Sequence, residues 1–174
     1  TAAQTPAVYI QNGQKIEVSG ENLFESSWLV DVDGLGTFET YPNRDSTNYI
    51  EDYGLNDISD FYRGLLRHPG YCNSIQSMKD LNLLSNEESK NLQGLTYRQF
   101  TASLVGVNED SDIKQAVADK LNLKVSSDII KQLQWLGLFG EEPIHFSKGT
   151  NADVLLGLMQ EKMAYEDHEK DMII

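Results

Sequence analysis

The chain has 174 residues, enough to bury a sizeable core in one domain or two small lobes. Its hydrophobic (40%) and charged (24%) fractions are those of an ordinary globular protein, and 27 acidic against 14 basic residues leave a formal charge of -13. Dispersed lysines in so acidic a chain exclude nucleic acid and anionic membrane as partners, since both need clustered bases, and no apolar run approaches the ~20 residues that span a bilayer.

The first third reads as strands and turns. Residues 7–10 and 15–18 alternate in strand fashion around Gln11-Asn12-Gly13-Gln14, and the Asn-Gly pair is a strong hairpin signal because both residues tolerate positive φ. Ser19-Gly20-Glu21-Asn22 predicts a turn, and residues 23–27 a helical turn after it. Strands are expected at 28–32 and 37–41 around Gly34-Leu35-Gly36. A short helix is expected at 47–54, capped by Ser46 and stopped by Gly54. Residues 61–68 read as a strand that Pro69 keeps from extending, and 71–84 carry apolar residues near helical spacing.

Beyond residue 84 the pattern becomes helical. Phe100 and Leu104 share a face in 96–105. Ile113, Val117 and Leu121 recur every four residues behind a cap at Asp110 or Ser111. Residues 127–139 repeat the pattern behind Ser126 or Ser127. This predicts a small helical lobe over 85–142. Glu141-Glu142-Pro143 marks its end, and 151–164 form one more amphipathic helix. The fold class expected is α+β: a mixed sheet with flanking helices plus a small all-helical inserted lobe. Thr1 in place of a methionine, and the strand-like close on Met172-Ile173-Ile174, predict a piece of a longer chain. The single Cys72 excludes an internal disulfide framework and fits a reducing compartment.

Catalytic constellations are sparse. Gly34-Leu35-Gly36 is the nearest approach to a dinucleotide fingerprint, but Glu39 occupies the third glycine's place and no strand-turn-helix surrounds it. His68, His145 and His168 lie too far apart for metal-ligand spacing. His68 and Cys72 are separated by Pro69-Gly70 and make a poor base and nucleophile. The distinctive feature is that three of four arginines fall within residues 44–67. Guanidinium presents a planar fork that matches a carboxylate, and lysine does not. Two readings stand side by side: these arginines hold an acidic ligand, or Arg44 locks a turn by pairing with Asp45 while Arg63 and Arg67 pair with surface acids from one side of a strand.

Tyr41-Pro42-Asn43-Arg44-Asp45-Ser46-Thr47, then Arg63-Gly64-Leu65-Leu66-Arg67-His68-Pro69-Gly70, then Trp135-Leu136-Gly137-Leu138-Phe139, then Glu161-Lys162-Met163 and Glu169-Lys170-Asp171-Met172 give a pattern, in order and spacing, that resembles the saccharopine dehydrogenase family in its glutamate-forming branch. Leu65 stands where the family usually has threonine, and His68 where it usually has an aromatic residue.

The resemblance implies a fragment lacking the cofactor-binding portion. Residues 1–84 would be the first part of a substrate-binding and dimerisation domain, 85–142 the inserted lobe, and 143–174 the return segment. The intact parent would use NAD or NADP, with none bound by this fragment. It would act on saccharopine or a related amino-dicarboxylate, as a homodimer, in the cytoplasm, or in the mitochondrion if it is a fused eukaryotic enzyme. By resemblance Val18, Ser19 and Gly20 contact substrate. Asn43, Arg44, Asp45 and Ser46 join them by motif identity, with Arg63 and Arg67 at or behind the pocket. No residue is nominated as general acid or base. Two alternatives stay open: a non-catalytic α+β interaction module, and a relative acting on another imino-dicarboxylate of the carboxynorspermidine type.

Overall fold

The computed structural model describes residues 5–55 and 57–169. The strand expected at 172–174 and most of the Glu169–Met172 motif lie outside the described residues. Backbone contacts group the chain into two compact units, one ending at Gln76 and the other starting at Ser77. The division thus falls inside a helix, whereas the sequence pattern drew boundaries at 84 and 142.

The first unit is built from hairpins. β1 (Ala7–Gln11) and β2 (Gln14–Val18) pair antiparallel with Ala7 opposite Val18 and Gln11 opposite Gln14. Asn12 and Gly13 take φ of +50° and +72°, the left-handed pair that matches strand twist in a two-residue turn. β3 (Trp28–Val32), β4 (Gly36–Pro42) and β5 (Gly64–Arg67) form an antiparallel sheet in that order, with β4 central and all but its first two residues buried. The stretch 23–27 contributes a single turn, with the Ser26 N–H donating to the Asn22 carbonyl. Parallel pairing enters only where Val8 bridges Asp45, so the expected mixed character is confined to that one point among the described residues.

α1 (Asn48–Asp52) forms where a helix is expected, but Ser46 does not cap it. Thr47 is the N-cap residue and makes no capping bond with its side chain. The Asp45 carboxylate accepts both the N–H and the hydroxyl of Thr47 (2.8 and 2.6 Å), which closes the turn one residue earlier and leaves Ser46 fully buried. The core of this unit gathers Val18, Leu23, Phe24, Phe38, Tyr41 and Cys72. α2 (Tyr71–Asp80) runs across the boundary between the units.

The second unit is mostly helical, apart from one two-residue ladder between β6 (Lys90–Asn91) and β7 (Lys148–Gly149). α3 (Tyr97–Val105), α4 (Ile113–Lys120), α5 (Asp128–Leu136) and α6 (Asn151–Lys162) pack in succession. Their starts are set by capping side chains. Thr96 and Gln99 form a reciprocal box at α3, Thr150 and Asp153 another at α6, and Ser127 caps α5. Asp112, not Asp110 or Ser111, caps α4, because it is the residue whose carboxylate reaches the Gln115 N–H at 3.1 Å. Gly137 ends α5 in the left-handed region instead of extending it. Phe100, Val117, Ile130, Leu133 and Val154 fill the centre at 1% exposure or less.

Replacing Thr96 by alanine removes one half of its capping box. Urea denaturation should register a loss of about 1 kcal/mol, and an unchanged midpoint and slope would show that the box contributes nothing.

Candidate functional site

The arginine segment is positioned through β1. The Val8 N–H donates to the Arg44 carbonyl (2.9 Å) and the Ser46 N–H donates to the Val8 carbonyl (2.8 Å). On the other side, the Asn43 N–H donates to the Arg63 carbonyl (3.0 Å), and the Arg63 N–H donates to the buried Ser46 hydroxyl (3.2 Å). Arg44 adopts φ +58°, uncommon for a residue with a Cβ. The next residue, Asp45, accepts both donors of Thr47 two positions on. The two bonds from Thr47, hydroxyl first, hold the Asp45 carboxyl below the usual range, and Lys15 adds a smaller pull. Arg44 itself is exposed, and its guanidinium makes no ion pair with Asp45.

Arg63 and Arg67 lie four residues apart along β5 and its approach, a span of about 13 Å. Their guanidiniums are held by different tyrosines. Arg63 donates from Nη1 to the Tyr49 hydroxyl (3.0 Å) and lies over the same ring, 5.1 Å from its centroid. Tyr49 stacks on Tyr53, the C-cap of α1, at 6.0 Å. With Phe61, Tyr62 and Gly64 these residues line an open recess of about 570 Å³, which contains neither Arg44 nor Arg67. Gly64 is required there: a Cβ would meet the Tyr62 ring and stand 2.6 Å from the Thr40 hydroxyl oxygen.

Arg67 sits over Tyr71 (5.1 Å) and donates to the Leu66 carbonyl (3.0 Å). Tyr71 stacks on Tyr41 at 6.1 Å, and burial with help from Tyr71 pushes the Tyr41 phenol up to about 12. Beneath this stack Glu39, 7% exposed, accepts the Cys72 N–H (2.9 Å) in the first turn of α2. A carboxylate at a helix N-terminus meets unsatisfied N–H groups and the positive end of the helix dipole, which is why an acid is tolerated there. Burial, with a smaller push from Glu39, raises the Cys72 thiol to about 12. His68 packs against Phe38, 5.9 Å between ring centroids.

The remaining residues expected at the site lie across β1 from residues 44–46. Val18 is buried opposite Ala7 at the end of β2. Ser19 is exposed and accepts the Asn22 N–H with its carbonyl (3.1 Å), and Gly20 is half-buried in the same turn. β1 therefore stands between two predicted groups, Val18–Ser19–Gly20 on one side and Asn43, Arg44, Asp45, Ser46 and Arg63 on the other. Arg67 belongs to a third locality. The tyrosine partners of the arginines were not anticipated. Tyr49 and Tyr53 at i and i+4 carried a readable signal, whereas the pairing of Arg67 with Tyr71 depends on the chain turning at Pro69-Gly70.

Gly34-Leu35-Gly36 lies in the tight turn of the β3–β4 hairpin, with Gly34 and Gly36 at φ +77° and +102°. No helix follows it, so these residues do not fit a pyrophosphate cradle. Among the described residues no three His, Cys, Asp or Glu side chains are grouped to hold a metal ion, and no helix is long and apolar enough to cross a membrane.

Small antiparallel sheets in one unit and capped helices in the other make this an α+β protein. The chain matches, over residues 1–174, the family model described as the saccharopine dehydrogenase C-terminal domain, and it belongs to that family. It is 33% identical over 97% of its length to the mitochondrial alpha-aminoadipic semialdehyde synthase of Bos taurus, covering 19% of that protein. It is 29% identical over 99% of its length to the NADP(+), L-glutamate-forming saccharopine dehydrogenase of Schizosaccharomyces pombe, covering 40% of it. The solved apo structure of the L-Glu-forming saccharopine dehydrogenase from Saccharomyces cerevisiae superposes with a TM-score of 0.83 at 26% identity, over 95% of this chain and 38% of that one. The chain thus spans two fifths or less of the relatives it matches.

Two outcomes check the site geometry. Cys72 has no exposed surface, so a thiol-disulfide dye should label it only in denaturant; rapid labelling of the folded protein would contradict the burial. Ser46→Ala removes a buried acceptor and strands the Arg63 N–H, at a cost of about 1–3 kcal/mol in denaturant unfolding. A cost near zero would mean that water replaces the hydroxyl.

Proposed function

We propose that this chain is the substrate-binding and dimerisation portion of an NAD(P)-dependent oxidoreductase of lysine metabolism, one that interconverts saccharopine with glutamate and 2-aminoadipate 6-semialdehyde. The observation that carries the reading is the match of the whole chain to the family's C-terminal domain, with relatives whose names state that activity and NADP. Saccharopine carries three carboxylates, which suits guanidinium donors in an otherwise anion-repelling molecule. Arg44 is the strongest candidate among the proposed contacts, because it is exposed and unpaired with the acid beside it. Asn43, Asp45, Ser46, Arg63 and Arg67, with Val18, Ser19 and Gly20, complete the proposed set. Arg63 lies over the Tyr49 ring and forms no salt bridge among the described residues, so a face of its fork stays open to ligand oxygens.

The role of this portion is positioning: holding the reacting carbon against a nicotinamide carried by another part of the parent. The parent resides in the mitochondrion if it is a fused eukaryotic enzyme, a location that the Bos taurus relative's name gives for that protein, and in the cytoplasm otherwise. The expected lobe at 85–142 and return segment at 143–174 belong to this proposal. So does dimerisation, supported by β3, an edge strand with exposed Trp28 and Leu29 and with Leu35 exposed in its turn. The same edge favours the second reading, a domain that only assembles subunits.

Calorimetric titration of the parent with saccharopine separates the two. Arg44→Ala should weaken binding by about tenfold or more, the worth of a lost charge-assisted bond. Unchanged affinity would favour the assembly reading. This chain alone, mixed with saccharopine and coenzyme, should give no reduced nicotinamide.

A further inference from the structure

A second recess lies wholly in the helical unit, with a volume of about 390 Å³, within the range of small-molecule sites. Two sequence motifs distant in the chain meet on it: Trp135, Gly137 and Phe139 from the end of α5, and Glu161 and Lys162 from the end of α6. Its apolar lining is Tyr97, Phe139 and Leu158, with the Trp135 indole, 59% exposed, as an upper wall. Gly137 gives the wall its shape. It ends α5 at φ +111°, and a Cβ there would press to 3.1 Å against the Leu158 side chain.

Four charges face the same space: Lys114 and Lys162, Glu142 and Glu161. Among the described residues none of the four forms an ion pair or a side-chain hydrogen bond, although opposite charges line one recess. Both carboxylates lie within electrostatic reach of the buried Tyr97: after burial, Glu161 and then Glu142 raise its phenol. The charges sum to zero, which disfavours a nucleotide or a polycarboxylate. Three aromatic rings with two carboxylates suit an ammonium and an aromatic or long apolar body, and the two ammonium groups suit a single carboxylate.

From this juxtaposition we propose that the recess binds a free α-amino acid with an aromatic or long apolar side chain, a site separate from the arginine segment and independent of the substrate reading. The test is calorimetric titration of the full-length parent with L-phenylalanine. A saturable heat at one ligand per chain is expected, reduced about tenfold in affinity by Trp135→Ala and also by Lys162→Glu. Both residues are exposed, so neither change disturbs the core. N-acetylphenylalanine and phenylalaninamide, each lacking one charge, should bind about tenfold more weakly than the free amino acid. Absence of a saturable heat up to ~10 mM, equal binding by the Trp135→Ala protein, or equal binding of either blocked analogue would each overturn the proposal. Titration of the same variants with saccharopine should be unchanged, which keeps this outcome distinct from that of Arg44→Ala.

Discussion

A single buried hydroxyl organises the first unit. Ser46 has no exposed surface, yet its backbone N–H is spent on Val8 and its hydroxyl on the Arg63 N–H. Buried polar groups must be paired, so these bonds fix three segments at once: β1, the stretch after β4, and the approach to β5. Arg44 enters this pairing through a left-handed turn. The Arg44 carbonyl and the Ser46 N–H are both committed to Val8, which holds Asp45 in a parallel bridge beside β1. Arg44 is carried to the surface as a consequence of backbone pairing, not of any attraction between its side chain and Asp45.

The arginines are held in an unusual balance for an acidic protein. Exposed salt bridges would satisfy them at little gain, because solvent screens the pair and two long side chains lose freedom. Stacking over a tyrosine ring restrains Arg63 and Arg67 without itself using an N–H. Glu39 shows where a buried acid goes in this sheet. It stands opposite Arg67 in the β4–β5 register, but its carboxylate turns to the α2 N-terminus and to Ser27. Helix N–H groups are fixed donors already in place, and a carboxylate buried against them exacts no further ordering of a flexible partner.

Much of this fold was legible because its signals are local. Asn12-Gly13 between two strand-like runs is a pair that tolerates the positive φ of a tight hairpin, and Ser127 marks a helix start through a bond that spans three residues. Where two neighbouring side chains competed for one role, sequence did not decide the winner. At α1 Thr47 takes the N-cap position expected of Ser46, and at α4 Asp112 caps in place of Asp110 and Ser111, because its carboxylate is the oxygen that geometry brings within reach. The β6–β7 ladder was invisible, since two residues per strand carry no period and their pairing spans more than fifty positions. The α+β class and the order of elements were readable. The sorting of the predicted site residues onto both sides of β1 was not, because it depends on the parallel bridge from Val8 to Asp45.

That bridge also bears on how a ligand would be shared among the proposed contacts. A strand lying between two groups of residues separates their backbones by two strand spacings, about 10 Å. A compact anion would touch one group only. A long molecule with carboxylates at both ends spans such a gap without requiring the arginines to converge, and each guanidinium then acts on its own carboxylate. The recess that holds Arg63 contains neither Arg44 nor Arg67, so these arginines form no single clustered fork, and the proposed reading requires an extended ligand whose carboxylates meet them one at a time.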